Sequence, residues 1–484
     1  MKRRSRRMNQ KLSRFPKSSW AYVVIACSIA IALIFSSPVK AKLPLGDRLT
    51  WGNAVTETSP AYRQALNQAK TFRMPAEFEP ITSIWMAYPT YENQAGYPSQ
   101  TVQKAMVKAI APTVKIDFLL NEPEEKVIIN GWLKTAGIPA SQVRYHLVPH
   151  EDLWIRDMGP IFAVNADQTQ VVDFGFNAWS YLAATDPAAM TDEQVDRKVA
   201  GDLDLPILRS SLISEGGNRE FNGKGTLMLT EAVELQRNPG LTKEKIETEL
   251  KRVFNLKKVI WLQEGVIDDE LSYRGKLPDG SLTVLATGGH IDEYARFVDS
   301  NTILLAEVTA EERASDPLAA INYQRLEENL KILQAATDQD GKPFRIVRIP
   351  AAKPIYVNMT KEDAVFQALQ ELTFEDGTVI QDDDQIKTIL AASYLNFVIA
   401  NDVVIVPRYW QPDRNLEYQQ KDQAALAAFQ SVFPNKKIVA INPENINAGG
   451  GGMHCIVQQQ AVVDAVARSL STGAGDRSKS RSNL

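Results

Sequence analysis

Cys455 follows four consecutive glycines, Gly449 to Gly452, and is the only cysteine outside the N-terminal hydrophobic segment. Glycines let the backbone take positive φ and let a reacting group come close, so a lone thiol reached through them is a candidate nucleophile. The plain alternative is a flexible turn before a buried strand in which the cysteine only fills space. His290 and Asp292 are one residue apart, and on an extended strand their side chains would share a face. An imidazole beside a carboxylate suits proton transfer and the anchoring of a cation. The alternative there is a local hydrogen-bonded pair at a strand end. Two more carboxylates stand in polar motifs: Asp157 in Glu151-Asp152-Leu153-Trp154-Ile155-Arg156-Asp157, and Glu215 in Glu215-Gly216-Gly217-Asn218. Glu215 could orient His290 or be a solvated turn residue. Asp157 follows Arg156, and an exposed pair between those two would contribute little. His454 is expected to face away from the neighbouring thiol, and His146 and His150 read as structural or surface residues.

These motifs share a place in a recurring pattern of polar motif, strand, tight turn, strand, helix, strand. Hairpins are expected over 161–165 with 171–174, 219–221 with 226–229, 294–298 with 302–305, and 395–399 with 403–406. Turn residues such as Asn222-Gly223 and Asp299-Ser300-Asn301 join them. Helical patterns over 243–254, 319–336 and 423–433 lead to short apolar strands over 259–262, 344–349 and 437–441. Ahead of them come a strand from Ile81, a helix over 102–110, a strand over 114–120, a helix over 124–135 ended by Gly137, and a strand over 143–148. That makes about five ββαβ-type repeats in an α/β chain. Units that cannot bury a face alone stack around a shared axis, which favours one ring-like domain. Equivalent positions would then face that axis and gather thiol, imidazole and carboxylates in one pocket. The stretches 183–208 and 275–283 read as insertions.

Composition narrows the function. The 484 residues are 44% hydrophobic and 23% charged, enough for a large core. A basic head without acids, an apolar run over 21–35 and small residues before Ala41 describe a secretory signal peptide over 1–41. The run is short for a membrane anchor, the alternative fate of this segment. The leader holds nine Lys/Arg and no acid, so its removal takes the net charge from −4 to −13. An acidic chain without a basic stripe argues against nucleic acid and suits a cationic substrate in a periplasmic or secreted protein. With Cys27 in the leader, Cys455 has no intramolecular disulfide partner. His146 and His150 stand at HxxxH spacing but read as structural or surface residues, and there is no CxxC, so no metal site is expected. The glycine runs match no nucleotide-binding pattern, and no cofactor is expected. Residues 42–72 read as an N-terminal extension, 73–470 as the catalytic domain, and the small, polar tail 471–484 as disordered.

Taken together, Trp154-Ile155-Arg156-Asp157-Met158-Gly159-Pro160, Glu215-Gly216-Gly217-Asn218, Gly289-His290-Ile291-Asp292 and the glycine-rich run through His454-Cys455 to Gln459 resemble the agmatine deiminase family. That family includes the bacterial peptidyl-arginine deiminases. Arg73-Met74-Pro75-Ala76-Glu77-Phe78-Glu79-Pro80 resembles the start of its catalytic domain. The resemblance implies a five-bladed, pseudo-symmetric α/β-propeller and hydrolysis of a guanidino group, with agmatine going to N-carbamoylputrescine and ammonia on the way to putrescine. It implies Cys455 as nucleophile, His290 oriented by Glu215 as acid and base, and Asp157 with Asp292 gripping the guanidinium. Trp154, Asp152, Gly451 and Gly452 would line the substrate. Free arginine, the arginine side chains of proteins, and non-catalytic capture of guanidinium compounds are the alternatives. Val457 and the Thr287-Gly288-Gly289 lead into His290 depart from the family pattern.

Overall fold

Four sheets are built to one plan: an antiparallel hairpin, a helical crossover, then a parallel third strand. Ile161–Val164 pairs antiparallel with Thr169–Gly175, which pairs parallel with Ile207–Ile213. The order repeats in Glu220–Phe221, Thr226–Thr230 and Lys258–Leu262, in Ala295–Phe297, Thr302–Glu307 and Arg345–Pro350, and in Val398–Ala400, Val403–Pro407 and Lys437–Ile441. A further sheet draws its antiparallel partner from the far end of the chain. There Gln458–Ala461 pairs with Ile81–Ala87, which runs parallel to Lys115–Leu120, itself parallel to Val143–Leu147. This computed structural model describes residues 72–90, 98–464 and 466–467. The expected leader (1–41), the 42–72 extension apart from Phe72, and the 471–484 tail lie outside the described residues. The fold is mixed α/β.

Parallel strands need a crossover of a dozen residues or more, and amphipathic helices supply it. Lys243–Phe254 starts at Thr242, whose side chain accepts from the Lys245 N–H, and it buries Ile246, Leu250, Val253 and Phe254. Pro317–Ala335 starts with Asp316 accepting from the Leu318 and Ala319 N–H groups and with proline in its first turn. Glu125–Ala136 ends on Gly137 at φ 69°, a left-handed cap that glycine takes without a steric penalty. Val403–Pro407 and Thr226–Thr230 are buried at every residue, as strands covered on both faces must be. Between them these helices and strands enclose a core in which Phe397 stacks edge-on to Phe429 at 4.9 Å and to Phe433 at 6.0 Å. The Arg296 guanidinium lies 4.6 Å from the centre of the Phe397 ring. Among the described residues, no helix is long and apolar enough to cross a membrane.

Two sequence expectations need correction. The 183–208 stretch is no insertion: its helices Pro187–Asp192 and Val195–Asp202 are the crossover that delivers Ile207–Ile213 to its sheet. The 275–283 stretch does leave the repeat, but it has a partner that the sequence reading left unassigned. Leu282–Thr283 pairs parallel with Ile386–Ile389, which pairs antiparallel with Tyr356–Met359, making a sixth, small sheet. Pro350, Pro354 and the acidic run Asp382-Asp383-Asp384 hide those short strands from an alternation search.

Because Phe397 is fully buried and directly follows Asn396, the core and the site described below share a support. Phe397→Ala is expected to lower the unfolding free energy by about 3–5 kcal/mol, measured by chemical denaturation.

Candidate active site

Five sheets together present six polar groups just ahead of a strand, two of them from one sheet. Asp157 lies in the short helix Ile155–Met158, before Ile161–Val164. Glu215 precedes the 3-10 turn Gly216–Asn218 that leads into Glu220–Phe221. His290 caps the 3-10 turn Ile291–Glu293, which carries Asp292 and leads into Ala295–Phe297. Asn396 stands before Val398–Ala400, and Cys455 before Gln458–Ala461. All of them are at least nine-tenths buried.

They meet around one bare backbone position. A Cβ on Gly217 would lie 2.5 Å from His290 Nδ1, 3.0 Å from Asp157 Oδ1 and 3.3 Å from Asp292 Oδ2, so only glycine allows the convergence. His290 Nδ1 is 3.8 Å from Asp157 Oδ2, and Nε2 is 3.5 Å from Glu215 Oε2. Asp157 is oriented by the Gly217 N–H at Oδ1 (2.8 Å) and by the Trp179 indole N–H at Oδ2 (2.9 Å). Asp292 Oδ2 sits 2.7 Å from His454 Nδ1, accepts from Asn396 Nδ2 at 3.3 Å, and lies 3.6 Å from Cys455 Sγ. Asp292 Oδ1 makes no hydrogen bond among the described residues. The sulfur itself accepts from Asn396 Nδ2 at 3.1 Å and from the Gly452 N–H at 3.4 Å.

The electrostatics follow from burial set against partners. Burial and the carboxylates of Asp292, Glu293 and Asp157 push the Cys455 thiol well above its ordinary range. Burial alone would pull His290 down, but Asp157 and Glu215 outweigh it and raise the imidazole to about 9. Burial would likewise raise Glu215, yet Arg237 Nε at 2.6 Å prevails and holds the carboxyl at about 2. Asp292 is opposed by burial and still lowered, chiefly by His454. Asp157 and Glu293 go the other way, raised by burial and by neighbouring acids. Without ligand, the site therefore pairs a thiol with an imidazolium in a field rich in carboxylates.

The structure brings together Cys455, His290, Glu215, Asp157 and Asp292. Trp154, Gly451 and Gly452 join them: a Cβ on Gly451 would come 2.8 Å from the Trp154 ring and 3.2 Å from the sulfur. A Cβ on Gly452 would strike Asn396 Oδ1 at 2.4 Å. Of the four glycines only Gly450 has positive φ (103°), so the run serves close approach more than turning. Asp152 is placed differently. It is half-buried, its carboxylate accepts from the Leu153 N–H at 3.2 Å, and its backbone N–H turns to Asp192. His290 and Asp292 do not share an extended strand, since the turn Ile291–Glu293 carries them, and Cys455 lies in the turn before the last strand rather than opening it. Arg156 does not pair with Asp157: its Nη1 reaches Glu77 at 2.8 Å.

Several further residues shape the site. Asn396 occupies in its hairpin the position the other polar motifs occupy in theirs, and that equivalence was the available signal. Asp269 accepts the N–H groups of Thr287 (2.8 Å), Gly289 (3.0 Å) and His290 (2.9 Å), fixing the loop that carries the imidazole. Trp179 sits at φ 52° between Ala178 (48°) and Ser180 (71°), a strained run that no composition rule foretells. His454 faces Asp292 rather than turning away from the site. Among the described residues, two clusters have metal-like composition, Glu77 with Glu220 and His454, and Asp292 with Glu293 and Cys455. In the first, Arg156 and Arg296 already engage the carboxylates a cation would take.

The chain is similar to known proteins over most of its length. The sequence profile of the Porphyromonas-type peptidyl-arginine deiminases matches residues 73–461. The agmatine deiminase of Pseudomonas aeruginosa is 31% identical over 407 residues, covering 81% of this chain and 96% of that protein. The agmatine deiminase of Ectopseudomonas mendocina is 29% identical over 404 residues, again covering 81% and 96%. The solved agmatine deiminase of Enterococcus faecalis superposes with a TM-score of 0.62 at 29% identity, over 81% of this chain and 96% of that one. The chain belongs to the family of agmatine deiminases and Porphyromonas-type peptidyl-arginine deiminases.

Proposed function

We propose that this protein hydrolyses the guanidino group of agmatine, giving N-carbamoylputrescine and ammonia through an amidino-cysteine intermediate. The observation that carries the reading is the meeting of Asp157, Asp292 and His290 around Gly217, with the Cys455 sulfur on the Asp292 side. Two carboxylates set around a flat cation can each accept its N–H groups by charge-assisted bonds, and Asp292 Oδ1 is free to do so. The bound positive charge offsets the field that holds Cys455 as a thiol, so cation binding is coupled to release of the thiol proton. The thiolate adds to the guanidinium carbon, and imidazolium His290 gives its proton to the departing nitrogen, which leaves as ammonia. Neutral His290 then takes a proton from water. The resulting hydroxide adds to the amidino carbon, and collapse expels the sulfur and leaves the ureido product, the hydroxyl proton going to the thiolate, which had given its own proton to solvent when the cation bound. Glu215, kept ionised by Arg237, holds the imidazolium in readiness.

The enclosure of the site supports a small substrate over an arginine on a protein surface: the cysteine is 4% exposed and His290 1%. A purely capturing protein would need the aspartates but leaves Cys455 without a purpose. The repeated pairing order and the shared position of the site residues support a five-bladed propeller. The leader pattern over 1–41 supports an exported protein.

Three outcomes are expected. Leaderless protein converts agmatine to ammonia and a ureido product. Cys455→Ala turns over slower by about 10³-fold or more, as expected when a covalent nucleophile is lost, yet still binds agmatine in calorimetry. Binding without turnover in both proteins would mark a capture protein. In kcat/KM against pH, activity falls as the pH rises through about 9, where His290 of the free enzyme gives up its proton. Glu215→Gln moves that fall to lower pH, because a carboxylate that stabilises the imidazolium is gone. Alkylation of Cys455 in ligand-free protein accelerates with a midpoint above the ~8.5 of an ordinary thiol, and a midpoint below it would contradict the carboxylate-rich site.

A further inference from the structure

We infer that His454 donates from both ring nitrogens and acts as a charged clamp that positions Asp292, and is neither the acid nor the base of the reaction. This rests on the reading of Asp292 as an anchor for the guanidinium. His454 is fully buried. Its Nδ1 lies 2.7 Å from Asp292 Oδ2, and its Nε2 lies 2.8 and 3.0 Å from the two Glu77 oxygens. A neutral imidazole has one donor and one acceptor nitrogen. With a carboxylate at each end, the neutral ring would aim a lone pair at an anion from 3 Å or less in either tautomer. The arrangement is satisfied when both nitrogens carry protons.

The surroundings hold the clamp in one pose. The His454 backbone N–H donates to Asn396 Oδ1 at 2.7 Å, and the Asn396 amide reaches Asp292, Glu293 and Cys455. Glu77 is gripped from its other sides by Arg156 at 2.8 Å, Arg296 at 2.6 Å and Gln459 at 3.1 Å. The charged and titratable groups facing the ring are Glu77, Asp292 and Glu220, the last with a carboxylate oxygen within 4.8 Å and itself paired with Arg296, with Arg156 and Arg296 behind Glu77 and the Cys455 thiol adjacent. With Oδ2 of Asp292 taken by the clamp, Oδ1 is the oxygen left for a ligand. The two histidines contrast. The His290 nitrogens stand 3.5 and 3.8 Å from carboxylates with no hydrogen bond, which leaves that proton free to move. Those of His454 are locked at both ends.

Two measurements on the leaderless protein test this. Nitrogen NMR of histidine-labelled protein is tractable with four histidines in the chain, and the signals lost in His454→Asn assign the ring. At about pH 7 both His454 nitrogens are expected in the protonated region; one unprotonated nitrogen there would overturn the clamp. Separately, kcat/KM for agmatine is followed against pH in wild type, His454→Asn and Glu77→Gln. Asparagine keeps a donor for Asp292 but not the charge. Its acidic limb is expected to move up by about one pH unit or more, with KM raised more than kcat is lowered. Activity should recover to within about tenfold of wild type on the alkaline side. Glu77→Gln, further from the sulfur, should move the limb in the same direction by less. Melting temperatures confirm that each variant is folded. Activity depressed equally at every pH with an unmoved limb would mean a structural role only. If wild type ignores agmatine, the proposed function fails, and the NMR result still decides the clamp.

Discussion

Too many buried acids share this site for all of them to be satisfied without a cation. Asp157, Glu215, Asp292 and Glu293 lie side by side out of water, where each ionised group raises the cost of the next. Arg237 balances Glu215, His454 balances Asp292, and Asp157 and Glu293 are left pushed upward. The same field keeps the thiol protonated and the imidazole charged. One positive, planar ligand placed among them would relieve the repulsion and release the nucleophile at the same moment. Substrate selection and activation are then a single electrostatic event.

The scaffold reads as the means of holding that unstable gathering together. Arg237 joins Glu215 at 2.6 Å and the Thr287 carbonyl at 2.6 Å, so the carboxylate and the imidazole loop share one mount. Asp269 takes three backbone N–H groups of that loop. Asn396 ties the sulfur to Asp292 and Glu293. Arg237 ends the helix Glu231–Arg237 in the repeat of Glu215 and ties it to the loop of another sheet, and Asn396 serves groups carried by two other sheets, so these elements cannot shift alone. The strain at Ala178, Trp179 and Ser180 belongs to the same picture: an indole N–H is delivered to Asp157 Oδ2 by a backbone that non-glycine residues avoid.

Much of this was legible in the residues, and the reasons for what was not are physical. Lys243–Phe254 and Lys437–Ile441 begin and end where periodicity and capping place them, because those signals are local. Cys455, His290, Glu215, Asp157 and Asp292 were legible as candidates because each stands in or beside a polar motif ahead of an expected strand, and the family resemblance assigned them roles. Asp269, Trp179 and Arg237 were not, since their roles arise from contacts across sheets and leave no local pattern. His454 was misplaced by alternation reasoning that assumes a strand; the chain forms a turn there, and neighbours in a turn need not face opposite ways. The crossover over 183–208 was mistaken for an insertion because its helices are short and polar.

The strand that follows Cys455 lies against Ile81–Ala87, so the sheet opened near the beginning of the described chain is completed by its end. A ribosome makes the carboxylates and the imidazole long before the sulfur. On the proposed mechanism, a growing or truncated chain that lacks the segment from Cys455 to Ala461 would lack the nucleophile as well as a strand. The nucleophile and the strand that completes this sheet would then arrive together, so a working thiol would report that the sheet has closed.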